Sequence, residues 1–227
     1  MLPATRAEGV ALRLAVLISG RGSNMLSIAR ECAAGRVAAQ IVVVIADQPD
    51  APGLVRAAEL GIANQVVDTD DFRSAQRFDK PAFEASLIKA IDASGAQLIV
   101  LAGFMRVLSP QFVACYAGRI LNIHPSLLPR HKGLHTHKRA LAAGDTCHGV
   151  SVHYVTAELD GGPVVLQARV PVLPGDTPAT LSARVQQQEH IIYPRVIQWI
   201  ASGRLVYRNS QPFFDGVPLT TPRQEST

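Results

Sequence analysis

Short, almost wholly apolar segments alternate with segments of helical spacing through the first half of the chain, and this alternation strongly limits the possible folds. Such apolar runs are typical of strands that are buried on both faces. They span residues 14–19, 41–45 and 97–102, and the helical segments span 25–34, 51–60 and 81–93. Parallel strands joined by helices require right-handed crossovers. The sequence therefore predicts an α/β fold: a doubly wound, mostly parallel twisted sheet with helices on both faces.

Length and hydrophobicity are consistent with one domain. The chain has 227 residues, of which 48% are hydrophobic, and this is enough to bury a core without disulfides or a metal. We predict a flexible N-terminal extension over 1–11 and a single domain over 12–208. Residues 209–227 are predicted to form a mobile tail, because from Pro212 onward the sequence is polar and rich in proline.

Charge and cysteine content exclude several classes of protein. The net charge is +4, and the 22 basic residues are scattered, which argues against a nucleic-acid surface. The three cysteines have no CxxC spacing, so the sequence indicates neither a disulfide framework nor a structural zinc site. Because no run of 18 apolar residues occurs, we expect no membrane span and a cytoplasmic location.

The glycine-rich turn Ser19–Asn24 lies between the first predicted strand and the first predicted helix. Free N–H groups at a helix N-terminus suit a phosphate, and glycines let a ligand approach the backbone. A dinucleotide-binding fingerprint would need a third glycine where Met25 stands, and the Gly-Lys-Ser/Thr of a nucleotide-binding P-loop is missing. The turn favours a monophosphate over a dinucleotide, with a simple capped turn as the alternative.

Asn122 and His124 are two residues apart in an extended segment, so their side chains project to the same side. They end a predicted strand, at the edge where open α/β sheets bind ligands. An amide can donate to a carbonyl oxygen that gains charge, and an imidazole can act near neutral pH. The proline-containing loop over 124–137 is long enough to be functional. A purely structural role for the two side chains stays open.

Asp160 lies in a turn of composition Asp-Gly-Gly-Pro between two predicted strands. Such a carboxylate often only stabilises its turn; alternatively, it could orient His124 and favour its protonated form. The seven histidines show no metal-ligand spacing, and no nucleophile motif is present. We therefore predict no metal.

Seven stretches in this order resemble the phosphoribosylglycinamide formyltransferases of the folate-dependent formyltransferase family. They are Ile18-Ser-Gly-x-Gly-Ser-Asn24, Leu101-Ala-Gly-Phe-Met-Arg-Val-Leu108, Asn122-Ile-His-Pro-Ser-Leu-Leu-Pro129, Gly133-Leu-His-Thr-His137, Ser151-Val-His153, Glu158-Leu-Asp-Gly-Gly-Pro163 and Gln188-Glu-His190. The resemblance covers about residues 14–205. It implies transfer of a formyl group from 10-formyltetrahydrofolate, as co-substrate, to the amine of 5-phosphoribosylglycinamide, a step of de novo purine synthesis.

The resemblance also implies a role for individual residues. Asn122, His124 and Asp160 would be catalytic, with Asn122 and His124 on the formyl oxygen and Asp160 on the charge of the histidine. The phosphate and ribose would be held from the N-terminal half of the domain and by Glu189, and the folate from the C-terminal half. The implied phosphate and ribose ligands are Gly22, Ser23, Asn24 and Glu189, and the implied folate contacts are Lys80, Met105, Arg106, Val107, Leu108, Asn122, Val155 and Thr156.

Lys80 departs from the family pattern, because some members have an arginine there. A lysine keeps the positive charge but loses the planar, two-pronged geometry of a guanidinium. The expected partners are small molecules only, with the chain a monomer or a homodimer. Three alternatives remain: a formyltetrahydrofolate hydrolase, a non-catalytic binder of a phosphorylated metabolite, and an NAD-binding domain. A methionyl-tRNA formyltransferase would carry a further RNA-binding domain, for which 227 residues leave little room.

Overall fold

A computed structural model describes residues 10–75 and 77–225 of the chain. The predicted extension over 1–11 lies outside the described residues, except for its last two positions. The helices are α1 Ser23–Ala33, α2 Pro52–Glu59, α3 Lys80–Ser94, α4 Pro110–Cys115, α5 Thr136–Ala142 and α6 Pro178–Ala201, with a 3-10 helix at Thr69–Phe72. The strands are β1 Leu12–Ile18, β2 Ala39–Ala46, β3 Asn64–Val66, β4 Arg73–Ser74, β5 Arg77–Phe78, β6 Leu98–Leu101, β7 Ile120–His124, β8 Cys147–Tyr154, β9 Val164–Pro171, β10 Leu205–Arg208, β11 Gln211–Phe214, β12 Val217–Pro218 and β13 Arg223–Glu225.

The central sheet has the strand order β13-β9-β8-β7-β6-β1-β2-β3. The strands from β7 to β3 pair in parallel. β8 is antiparallel to both β7 and β9. The predicted doubly wound, mostly parallel sheet is therefore confirmed, with an antiparallel section on the β8–β9 side.

Alternate residues of β1 pack into two separate cores, one on each face of the sheet. Leu14 and Val16 join the core that includes residues of α1, α2 and α6. Ala15 and Leu17 join the core that includes residues of α3 and α4. Both faces are therefore covered, and this explains why the buried strands are continuously apolar instead of alternating.

Residues 209–225, for which the composition predicts a mobile tail, include the strands β11, β12 and β13. β11 extends an antiparallel meander begun by β10, and β13 adds to the edge of the central sheet beside β9. Phe214 is buried and packs edge-on against Trp199 of α6, with ring centroids 4.7 Å apart. The buried ring of Phe214 thus anchors an otherwise polar segment to the last helix.

In the described part of the chain, no helix is both long enough and apolar enough to cross a lipid bilayer.

Candidate active site

The turn after β1 leaves the N-terminus of α1 open to a ligand. Gly22 is the N-cap and has a φ of 68°, a left-handed conformation that glycine adopts without strain. A Cβ atom at this position would lie 3.2 Å from the Cα of Gly53, so the turn is also tightly packed. Since Gly22 has no side chain to cap the helix, the first N–H groups of α1 are available to an anion.

Side chains of α6 converge on the same turn. The amide of Gln186 donates to Ser23 Oγ over 3.1 Å, and Asn24 Nδ2 donates to Glu189 Oε2 over 2.8 Å. Asn24 Oδ1 is buried and has no hydrogen-bond partner among the described residues. Burial raises the pKa of Glu189, although the hydrogen bond from Asn24 partly offsets this. The predicted phosphate ligands and Glu189 therefore lie together, and Gln186 joins them.

The three residues predicted to be catalytic meet at the carboxyl end of β7. Asn122 and His124 occupy the last part of that strand, and His124 is 6% exposed. Asp160 comes from the turn between β8 and β9, and its Oδ2 lies 3.5 Å from Nδ1 of His124. The fold therefore brings Asp160 close to His124, which the sequence alone could not show.

The turn that carries Asp160 has an unusual backbone. Asp160 has a φ of 48°, and the next residues are two glycines. A Cβ atom on Gly162 would lie 1.9 Å from the carbonyl oxygen of Tyr154, so only glycine allows the turn to approach the end of β8 this closely. The Asp-Gly-Gly sequence therefore places the carboxylate against the end of β7.

His153 accepts a hydrogen bond from the side-chain amide of Asn122. It stands opposite Asn122 in the β7–β8 pair and is buried. Its Nδ1 is 2.9 Å from the carbonyl oxygen of Tyr154, so Nδ1 carries the proton and Nε2 accepts from Asn122 Nδ2 over 3.1 Å. Burial lowers the pKa of His153 to about 4, which keeps the ring neutral. One amide N–H of Asn122 is thereby fixed, and the other is left for a ligand.

The loop over 124–137 contributes two backbone groups to this site. His124 Nε2 donates to the carbonyl oxygen of His131 over 3.0 Å, and the N–H of Gly133 donates to Asp160 Oδ2 over 2.8 Å. His124 Nδ1 is the ring nitrogen left for a substrate, because its 3.5 Å distance to Asp160 is longer than a good hydrogen bond.

Two other histidines of the loop are paired with neighbours. His131 Nε2 lies 2.7 Å from Asp145 Oδ2, and His137 Nδ1 lies 3.2 Å from His148 Nε2. Burial lowers the pKa of His148 to about 4. Within residues 10–75 and 77–225, no group of three His, Cys, Asp or Glu side chains is arranged to hold a metal ion.

The segment after β6 lies between the turn that precedes α1 and the strand β7. The N–H of Met105 donates to Ser19 Oγ over 2.8 Å, which ties this segment to the end of β1. The guanidinium of Arg106 is already engaged by two side chains. Its Nε donates to the buried Asp47 over 2.6 Å, and its Nη2 donates to Thr69 over 3.3 Å. The guanidinium predicted to lie beside the folate is therefore held mainly by an ion pair with Asp47.

The remaining predicted folate contacts have mixed exposure. Met105 and Val107 are 68% and 61% exposed, whereas Leu108 is buried in the core near α3 and α4. Val155 is half-buried, and its N–H donates to the carbonyl oxygen of Ile120 on β7. These side chains form an apolar surface next to β7, of the kind that can contact an aromatic ligand.

Lys80 and Thr156 complete the set of predicted folate contacts. Lys80 begins α3, and its Nζ lies 3.9 Å from Glu84 Oε1. The Glu84 carboxylate also accepts from the backbone N–H of Ser109 over 2.7 Å, so this corner joins α3 to α4. Thr156 follows β8 and is half-buried.

Reasoning from the sequence assigned no role to four residues that the structure brings to the site: Gln186, His153, Asp47 and Gly133. Helical spacing could have indicated Gln186, since it lies one turn before Glu189 on α6. His153 depends on the β7–β8 register, and Asp47 on the path of the segment after β6, and neither is encoded in a local pattern. The contribution of Gly133 is a backbone N–H group, which carries no residue signal.

The fold and this constellation define a formyl transferase. The family model for formyl transferases matches residues 12–197, and the chain belongs to that family.

The chain is similar along most of its length to phosphoribosylglycinamide formyltransferases. It is 50% identical over 208 residues to the enzyme of that name from Escherichia coli strain K12, covering 92% of this chain and 96% of the relative. It is 44% identical over 207 residues to the one from Haemophilus influenzae, covering 91% and 95%. A solved phosphoribosylglycinamide formyltransferase from Coxiella burnetii superposes with a TM-score of 0.87 at 49% identity, covering 95% of this chain and all of the other.

Proposed function

We propose that this chain is a phosphoribosylglycinamide formyltransferase. It transfers the formyl group of 10-formyltetrahydrofolate to the amine of 5-phosphoribosylglycinamide, giving formyl-phosphoribosylglycinamide and tetrahydrofolate in de novo purine biosynthesis. The observation that carries this proposal is the meeting of Asn122, His124 and Asp160 at the end of β7. The names of the similar enzymes support the choice of the phosphorylated amine as acceptor.

The phosphate of the acceptor would bind at the start of α1. The N–H groups near Gly22 and Ser23 face an anion favourably, because the helix dipole adds to their hydrogen bonds. Asn24 would turn its amide toward the phosphate, and Glu189 would accept hydrogen bonds from the ribose hydroxyls. The contacts among Ser23, Asn24, Gln186 and Glu189 in the ligand-free chain hold these groups near one another in advance.

The formyl donor would bind beside β7, against the segment that follows β6. The exposed side chains of Met105 and Val107 offer an apolar surface for the ring system of the folate, with Arg106, Leu108, Val155 and Thr156 around it. Asn122 would reach the formyl group from the strand. Lys80 would provide a positive charge for the glutamate end of the folate.

The chemistry is attack of the acceptor amine on the formyl carbon. A carbon–nitrogen bond forms, and the formyl oxygen gains negative charge in a tetrahedral intermediate. The free N–H of Asn122 donates to that oxygen, while His153 keeps the amide in the required orientation. Protonated His124 offers its Nδ1–H and its positive charge to the same oxygen.

Collapse of the intermediate then breaks the bond between the formyl carbon and the folate nitrogen. The attacking amine must lose a proton, and the departing folate nitrogen must gain one. Asp160, which lies beside the His124 ring, moves a proton through water from the first nitrogen to the second. The backbone N–H of Gly133 keeps the Asp160 carboxylate in place during this transfer.

The test is an assay of formyl transfer with purified protein. Incubation with both substrates should give formyl-phosphoribosylglycinamide and tetrahydrofolate in equal amounts. Loss of the formyl donor should depend on the amine. Donor loss at the same rate without the amine, or no donor loss with both substrates present, would contradict the proposal. The chemistry needs no metal, so added chelator should not change the rate. A cytoplasmic location and a monomeric or homodimeric state stay predictions.

A further inference from the structure

A buried pair of polar side chains lies behind the catalytic loop. Ser151 of β8 is fully buried, and Gln167 of β9 is 6% exposed. Gln167 Nε2 donates both to the carbonyl oxygen of Leu128 and to Ser151 Oγ, each over 2.9 Å. Ser151 Oγ in turn donates to the carbonyl oxygen of Ser126 over 2.7 Å and accepts from the N–H of Leu128 over 3.0 Å. Both strands therefore hold the first part of the loop through its backbone.

This anchored part leads directly to the groups that contact the catalytic residues. Ser126 Oγ donates to the carbonyl oxygen of Arg130 over 2.6 Å. The next residue, His131, supplies the carbonyl oxygen that accepts from His124 Nε2. Two residues later, Gly133 supplies the N–H group that donates to Asp160. The position of these two backbone groups therefore depends on how the loop is held at Ser126 and Leu128.

We infer that Gln167 is a positioning residue for catalysis, which acts by fixing the backbone of Ser126–Leu128 through Leu128 and Ser151. The inference rests on the proposed formyl transfer. The sheet itself does not require Gln167, because the β8–β9 pairing is made by backbone groups. The amide of Gln167 donates one hydrogen bond directly to the loop at Leu128 and one to Ser151 Oγ, which itself contacts the loop, and an apolar side chain of the same size could donate neither.

The side-chain oxygen of Gln167 is held by the strand β13. Gln224 of β13 donates from Nε2 to Gln167 Oε1 over 3.2 Å. This contact orients the Gln167 amide so that its nitrogen, and not its oxygen, faces Leu128. β13 thus contributes indirectly to the site, although it lies at the far edge of the sheet.

The variant Gln167→Met tests the inference, because methionine fills a similar volume but donates no hydrogen bond. We expect kcat for formyl transfer to fall about 10- to 100-fold, since loss of alignment alone can have that effect. KM for both substrates should stay unchanged. Amide hydrogen exchange within residues 124–137 should become faster, while exchange in α1 should not change.

Gln40→Met is the matched control. Gln40 is also a strand glutamine, but it is exposed on β2, far along the sheet from β9. Its variant should keep the kcat and loop exchange of the starting protein. An unchanged kcat in folded Gln167→Met, with the starting protein active, would overturn the inference. Absence of transfer in the starting protein would instead contradict the proposed function.

Gln224→Ala takes the place of Gln167→Met if the latter does not fold. It changes only the edge strand, and it removes the donor that orients the Gln167 amide. We expect KM to stay unchanged and kcat to fall. The fall should be smaller than that expected for Gln167→Met, which loses both N–H donors. An unchanged kcat in this variant would then overturn the inference.

Discussion

The phosphate side and the catalytic side of the site are constructed in different ways. The phosphate side uses one short turn and the adjoining helix, with α6 packed beside it. The catalytic side brings together the end of β7, the loop after it and the turn that carries Asp160. A continuous segment can thus form most of a binding site, whereas the reacting groups come from segments separated by tens of residues.

This difference predicts separate kinetic effects. The groups that we propose to bind the phosphate would contact a part of the substrate that does not change during the reaction, so their loss should raise KM. The groups that we propose to be catalytic would contact atoms that change charge, so their loss should lower kcat. The variants that follow test this separation, from the largest expected effect to the smallest.

The largest effect is expected from Asn122→Ala. The variant removes a donor to the formyl oxygen, and loss of one such donor commonly lowers turnover about 100- to 1,000-fold. KM for phosphoribosylglycinamide should change little. Steady-state kinetics with each substrate varied in turn measures both quantities. Asn64→Ala, at an exposed strand position, is the control and should be as active as the starting protein. A kcat within twofold of the starting value would rule out a role of Asn122 on the oxyanion.

The next effect is expected from Asn24→Ala. It removes a side chain that we place on the substrate phosphate, and a hydrogen bond to a charged group contributes about 1.5–3 kcal/mol. KM for phosphoribosylglycinamide should therefore rise at least about 10-fold, while KM for the folate and kcat stay nearly constant. Ser27→Ala, one turn later on α1 and in contact with His190 of α6, is the matched control. A rise in KM for the folate instead would show that Asn24 supports folate binding and not phosphate binding.

The sequence predicted the parts of the fold that depend on local pattern. Continuous apolar runs identified β1, β2 and β6, because strands buried on both faces have no polar face. Helical spacing identified α3 within one residue at each end, over Lys80–Ser94. The strands within 209–225 were not predicted, because the segment is held by contacts of Phe214 with α6, which are tertiary and leave no local period.

The candidate site shows the same limit. Gly22, Ser23 and Asn24 could be placed from their position before a helix, because the helix terminus itself makes the site. Asn122 and His124 could be placed on one side of a strand by their spacing. Asp160 could not be placed, since its approach to His124 depends on the antiparallel β7–β8 pairing and on Gly162. The ion pair that turns Arg106 toward Asp47 was equally inaccessible.

The two sides should also differ in their response to pH. His153 has a pKa of about 4 in the fold against 6.5 for an unperturbed histidine, so it binds fewer protons when folded. Its contribution to stability is therefore complete above pH 6.5 and is lost as pH falls toward 4. The slope is at most about 1.4 kcal/mol per pH unit. Glu189 has the opposite sign: its pKa is raised by burial, so its contribution weakens as pH rises above the ordinary carboxyl range.

Chemical denaturation across pH measures both contributions. His153→Leu should flatten the fall in unfolding free energy between pH 6.5 and 4. Glu189→Gln should remove the loss of stability that begins as pH rises above the ordinary carboxyl range, so the folded chain should become relatively more stable at neutral pH. Equal slopes for His153→Leu and the starting protein would show that His153 takes up protons as readily in the folded state as in the unfolded state.

The smallest effect is expected from Asp47→Asn, at the boundary between the two sides. Asp47 follows β2, is 1% exposed, and holds Arg106 of the folate-side segment. Asparagine keeps the shape and one acceptor oxygen but loses the charge, so the segment 103–108 should become less firmly held. KM for the folate should rise severalfold, by less than the about 10-fold expected for the other substrate in Asn24→Ala, and kcat should change little. Asp50→Asn, at an exposed position nearby, is the control. A rise in KM for phosphoribosylglycinamide instead would mean that the Asp47 carboxylate supports the phosphate side of the site and not the folate side through Arg106.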